Sequence, residues 1–217
     1  MLYLNHQTYK GRLTKLLKIL YKYGTMNSSK SAELLMNAHN YKTKGVPVFL
    51  LTPSTDTRSG VSTISSRVGI KAKADFVVSE FNDDLKKFIR HAFTEDGVLM
   101  LDECQFLDYD TVNQICDYCH YLDHLDKFHP NFALLVYGLL TDFRGKLFDG
   151  SRAWVENADS MHEIKTVCHY CSRKATKNYL NAPHNDEGNV IIGDHEFIPV
   201  CSYHYYELTH QQQRSKN

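Results

Sequence analysis

KILYKYGTMNSSKS, Lys18 to Ser31, is a short β-prone run, then a loop of glycine, threonine, asparagine and serines, then the start of a helix. The helix shows in Ala32, Leu34, Leu35, Ala38 and Tyr41, which recur at helical spacing. A loop set between a strand and a helix can aim its backbone N–H groups at anionic oxygens. Gly24-x-x-x-x-Ser29-Lys30-Ser31 adds a lysine for the β- and γ-phosphates and a hydroxyl for Mg²⁺. Gly24, Thr25, Met26, Asn27, Ser28, Ser29, Lys30 and Ser31 are therefore the expected ATP-binding set. Ser29 stands where such loops carry a second glycine. A left-handed backbone there costs a non-glycine residue on the order of 1–2 kcal/mol. Two readings stay open: the strain is absorbed locally, or it weakens ATP binding.

Working outward, Pro47 to Thr52 (PVFLLT), Val98 to Leu101 (VLML) and Phe132 to Tyr137 (FALLVY) are apolar runs of buried-strand type, and Asp75 to Val78 is a weaker one. Asn82 is placed to cap a helix, with Asp83 and Asp84 in its first turn and Leu85, Phe88, Ile89 and Ala92 as its apolar face. Val112, Ile115, Cys116, Cys119 and Leu122 form another amphipathic stripe. Strands alternating with helices predict an α/β fold, a phosphate-loop parallel sheet flanked by helices.

VLML runs straight into Asp102-Glu103-Cys104-Gln105-Phe106. Two acids at the carboxyl end of a buried strand sit where open α/β sheets bind ligands. Asp102 is the candidate to hold Mg²⁺ with Ser31, and Glu103 to accept the proton of an attacking hydroxyl.

Cys168-x-x-Cys171 and Cys201-x-x-His204 are two knuckles about thirty residues apart, each following an extended run, which suits tetrahedral zinc. Four protein ligands leave no open coordination position, so the site reads as structural. Cys116-x-x-Cys119 has the same spacing but lies on an apolar helical stripe and reads as core thiols. The expected organisation is an extension over 1–17, a kinase-type domain over 18–160, and a small zinc-binding domain with a tail over 161–217.

Among 217 residues, 42% are apolar and 23% charged, which places the chain with ordinary globular proteins. Lysine and arginine number 25 and aspartate and glutamate 25, so no net field draws nucleic acid or a membrane surface. No apolar run approaches the roughly 20 residues of a membrane helix, and no signal-peptide core is evident. A cytoplasmic protein with neither nucleic-acid nor membrane partners is expected. A zinc-ribbon ATPase acting on nucleic acid is the rival that this neutrality argues against.

The pattern resembles the cytosolic type of thymidine kinase. The matching residues are YGTMNSSKS (Tyr23 to Ser31), DTR (Asp56 to Arg58), SSRVG (Ser65 to Gly69), DECQFL (Asp102 to Leu107), YGLLTDFRGKLFDGS (Tyr137 to Ser151), EIKTVCHYCSRKAT (Glu163 to Thr176) and FIPVCSYHY (Phe197 to Tyr205). The resemblance implies ATP-dependent 5′-phosphorylation of thymidine, with a zinc-held lasso closing over the nucleoside and four chains forming a homotetramer. It implies that Glu103 is the base and that Arg58 stabilises charge at the transferring phosphoryl group. Gln105 would join Asp102 and the loop in binding cofactor. Met26, Phe106, Phe143, Ile191 and Phe197 would surround the thymidine base. Three positions depart from the family pattern: Ser29 replaces a glycine, Phe197 a tyrosine, and Gly193-Asp194 a paired glycine. The first departure motivates an alternative, a nucleotide-binding relative with an impaired phosphate loop.

Overall fold

The computed structural model describes residues 17–56, 62–126, 129–181 and 197–215. Residues 1–16 of the expected extension, Arg58, Ile191 and Gly193-Asp194 lie outside the described residues.

The chain runs β1 (Ile19–Tyr23), α1 (Lys30–Thr43), β2 (Val48–Pro53), β3 (Thr63–Ser65), β4 (Lys71–Lys73), β5 (Phe76–Val78), α2 (Asp83–Thr94) and β6 (Val98–Leu101). A 3₁₀ turn (Cys104–Phe106), α3 (Tyr109–Leu125), β7 (Ala133–Gly138), α4 (Asp149–Asn157), β8 (Ser160–Glu163), β9 (Lys177–Leu180), β10 (Phe197–Val200) and α5 (Ser202–Ser215) follow. Six strands form one parallel sheet in the order β5-β2-β6-β7-β1-β8. The α/β class with a parallel sheet is the one expected.

Every residue of β6 and β7 is buried, as central strands covered on both faces require. Their side chains alternate between two cores. Leu99, Leu101, Leu134 and Val136 pack under α2, α3 and α4, whereas Val98, Met100, Ala133, Leu135 and Tyr137 pack under α1 and the β3–β4 hairpin. Asn82 caps α2 by accepting from Leu85 N at 3.0 Å. Cys116 and Cys119 are fully buried in the α3 side of the core, and burial pushes the Cys116 thiol up to about 12, so both behave as apolar packing groups.

The registers bring three strand ends to one edge. Tyr23 pairs with Gly138 and Leu101 with Val136, so the segments after β1, β6 and β7 emerge side by side. β8 extends the sheet beyond β1 through backbone pairing. Its sequence, SMHE, carries no apolar alternation and gives no strand signal. Among the described residues no helix is long and apolar enough to cross a membrane.

Asp96, at φ 51°, ties the turn before β6 to the one before β7. Its carboxylate accepts from Asn131 N at 2.8 Å, Asn131 Nδ2 at 2.7 Å and Phe132 N at 3.2 Å. Asp96→Ala should lower unfolding stability by roughly 1–3 kcal/mol, because partly buried donors are left unpaired. A urea midpoint unchanged by the substitution would show that the two turns are held by other contacts.

Candidate active site and metal cluster

The phosphate loop closes tightly on itself. A Cβ on Gly24 would lie 2.4 Å from both the Ile164 carbonyl and Ser28 Oγ, so only glycine fits there. Asn27 and Ser29 both adopt left-handed backbone, at φ 62° and 64°. Ser29 thus carries the strain foreseen for a non-glycine, and α1 nevertheless starts cleanly, with Glu33 N donating to Ser29 O at 2.9 Å. Lys30 is buried, its ammonium donating to the Thr25 carbonyl at 2.9 Å across the loop. The Arg67 guanidinium, from the SSRVG stretch to which sequence gave no role, donates to the Asn27 side chain.

Asp102 lies at the end of β6 and is buried beside this loop. Burial raises its carboxyl to about 7 from an ordinary 3.8, and the neighbouring Glu103 adds to the rise. Hydrogen bonding from the Ser31 hydroxyl and the Lys30 charge act against it. Among the described residues Asp102 Oδ1 is a buried oxygen with no hydrogen bond. A hard oxygen of this kind next to a serine hydroxyl fits a Mg²⁺ ion. Glu103, half-buried, is held in the left-handed region at φ 47°.

The turn that follows is clamped. Trp154 Nε1 donates to the Cys104 carbonyl at 3.1 Å, and Gly150 lets α4 come so near that a Cβ would meet the Leu107 carbonyl at 2.3 Å. Gln105 is 2% exposed, and its carboxamide spans from Glu103 to the backbone of Leu139.

Of the aromatic residues expected around a base, Phe143 and Phe197 come together with ring centroids 6.1 Å apart, while Phe106 faces Phe148 at 6.2 Å. Tyr205 Oη fixes the Phe143 backbone by donating to its carbonyl at 2.8 Å. Sequence reasoning missed Asn178. This buried side chain on β9 accepts from Met26 N of the phosphate loop at 2.8 Å and donates to Thr141 O at 3.4 Å. A single asparagine in a polar-looking strand carries no pattern by which to find it.

Cys168, Cys171, Cys201 and His204 converge with all four ligand atoms within 4.8 Å of one another. His204 Nδ1 is 3.4 Å from Sγ of both Cys168 and Cys201, and the Cys171 and Cys201 sulfurs are 3.9 Å apart. Tetrahedral zinc, with Zn–S of about 2.3 Å and Zn–N of about 2.0 Å, sets its ligand atoms roughly 3.5–3.8 Å apart, so spacing and donor types both fit. Burial disfavours the Cys168 thiolate, but backbone N–H groups of Cys201 and Tyr170 and the His204 ring outweigh it and hold the thiol down to about 6. The cluster joins the β9–β10 hairpin to the start of α5, around a small core that includes Tyr179 and Val200.

A parallel α/β sheet, a lysine-bearing loop between its strand and helix, a buried acid at the end of β6 on the same sheet edge and a Cys₃His hairpin define a phosphate-loop protein with a metal-type appendage. The sequence profile of the family described as thymidine kinase matches residues 17–205, and the chain belongs to that family. The thymidine kinase of Lactococcus lactis subsp. lactis (strain IL1403) is 39% identical over 194 residues, covering 88% of this chain and 97% of the relative. That of Streptococcus gordonii (strain Challis) is 39% identical over 194 residues, with 88% and 96% covered. Among solved structures, the genome packaging NTPase B204 from Sulfolobus turreted icosahedral virus 2 is 15% identical, with 67% of this chain and 74% of that one covered, at a TM-score of 0.39. A likeness that loose carries no functional inference.

The raised Asp102 carboxyl predicts a signed pH effect. The folded chain keeps a proton that the unfolded chain releases between about pH 4 and about 7, so this group's contribution to stability is complete below 3.8 and is lost as pH rises through about 7. Asp102→Asn fixes the neutral form. It should raise the melting temperature most at about pH 8 without nucleotide, with the gain shrinking toward pH 4. An equal gain at both ends would show that Asp102 ionises at its ordinary value.

Proposed function

We propose that this chain transfers the γ-phosphoryl group of ATP to the 5′-hydroxyl of thymidine, releasing ADP and thymidine monophosphate. The observation that carries the reading is Glu103, at the end of β6 next to a buried Asp102 and a lysine-bearing loop, in a member of the thymidine kinase family. The 5′-oxygen forms a bond to the γ-phosphorus as the bond to the β–γ bridging oxygen breaks. ADP departs with that electron pair, and the hydroxyl proton passes to the Glu103 carboxylate. Lys30 and amides of the loop 24–31 other than those of Gly24 and Met26, which are bonded within the protein, would hold the phosphates, and Ser31 and Asp102 a Mg²⁺ ion. When bound, that ion supplies positive charge on the phosphate oxygens.

Met26, Phe106, Phe143 and Phe197 would line the base pocket. Arg58 and Ile191 join the phosphoryl and base sites on the resemblance alone. Assembly as a homotetramer and a cytoplasmic setting belong to the same reading. Zn²⁺ held by Cys168, Cys171, Cys201 and His204 would be structural, pinning the hairpin that carries Phe197.

In an assay of thymidine with Mg-ATP, scoring thymidine monophosphate directly, the parent protein should form product. Glu103→Gln should lose at least about a hundredfold in kcat while folding normally. No product from the parent sinks the reading, and a variant that turns over nearly as fast removes Glu103 as the base. Elemental analysis should find one zinc per chain, lost in Cys171→Ser together with protease resistance of the hairpin. A zinc-free parent with an equally resistant hairpin would overturn the structural-zinc assignment.

A further inference from the structure

We infer that Gln105 is a positioning residue for the reaction, holding the Glu103 carboxylate in place rather than contacting the nucleotide. The inference rests on the reading of Glu103 as the base. Gln105 Nε2 donates to Glu103 Oε2 at 2.6 Å, and Gln105 Oε1 accepts from Leu139 N at 2.9 Å. The second bond fixes the first. A backbone N–H can only meet the amide oxygen, so the NH₂ must face Glu103 and the amide cannot flip without losing both partners.

Leu139 is itself immobilised. Its carbonyl accepts from Tyr21 Oη at 2.7 Å and from Ser151 Oγ at 2.6 Å, and both of those residues are 0% exposed. The path of the Gln105 side chain is kept clear by Gly138, where a Cβ would stand 2.5 Å from Gln105 Oε1 and 2.7 Å from Cys104 Sγ. Glu103 lies in a left-handed turn, half-buried, and a glutamate side chain has several rotamers. A rigid donor anchored in the neighbouring strand end selects one of them. Each hydrogen-bonding position of the amide that the structure defines is directed into the protein, at the base and at the sheet, and not at the loop of residues 24–31.

Two substitutions separate this role from a purely structural one. Gln105→Glu keeps an oxygen for Leu139 N but replaces the donor facing Glu103 with a like-charged group. Gln105→Met keeps the volume and removes both bonds. Both should lower kcat by about tenfold to a hundredfold, the scale of a misplaced reacting group, with KM for ATP and thymidine within about twofold of the parent. Thermal melts of each variant report whether the fold survives. In a Glu103→Gln background the same Gln105 substitutions should cause no further loss of kcat, because the group they position is already gone.

A rise in KM for ATP with kcat retained would overturn the inference in favour of a nucleotide contact. A full additional loss of kcat in the Glu103→Gln background would overturn it in favour of general structural support. If Glu103→Gln alone leaves kcat intact, the base assignment itself falls, and that result is separate from either outcome at Gln105.

Discussion

The two peptide units that follow β7 hold the site together. Gly138 O accepts from Gly24 N at 3.3 Å, which docks the mouth of the phosphate loop, and Leu139 N meets Gln105. The Leu139 carbonyl gathers hydroxyls from β1 and α4. Three segments distant in sequence, residues 21–24, Gln105 and Ser151, thus depend on one short stretch of backbone, whose position is set by the parallel pairing of β7 between β6 and β1. Parallel pairing makes this possible, because it delivers all the carboxyl ends to the same edge.

Backbone strain is concentrated at that edge. Among the described residues four non-glycine positions have positive φ, and Asn27, Ser29 and Glu103 belong to the candidate site. A left-handed serine or glutamate costs on the order of 1–2 kcal/mol and an asparagine less, and the surrounding structure over-determines all three. The loop is closed by Lys30 and the near contact at Gly24, and the Glu103 turn is clamped by Trp154 and Gly150. Asp96, the fourth, sits in a network of three hydrogen bonds away from the site. Strain at Ser29 is therefore one instance of a general feature of this site, and the loop keeps its closed form with serine in place.

What could be read from sequence follows from what each element buries. β6 and β7, buried on both faces, appear as continuous apolar runs, and α2 announces itself by Asn82 and two following aspartates. The Cys₃His ligands are legible because metal geometry demands particular residues at particular spacings. The β3–β4 hairpin, β8 and β9 escaped, since edge pairing and short hairpins are fixed by backbone bonds and tertiary contacts. α4 escaped because Asp149-Gly150 at its start reads as a turn, although that glycine is what lets it approach the turn after Glu103. Asn178 and the orientation of Gln105 depend on which strands meet, which no local window contains.

Asn178 belongs to the hairpin beside the metal ligands, yet its amide oxygen takes the N–H of Met26 in the loop built for phosphate. One hydrogen bond therefore connects the part of the chain that would enclose the nucleoside with the part that would grip the other substrate. Thermodynamic linkage makes such a connection reciprocal: whatever steadies the hairpin steadies the loop by the same free energy, and the converse. The two halves of the site are therefore joined rather than merely adjacent, and a change in either is felt in the other through a single contact.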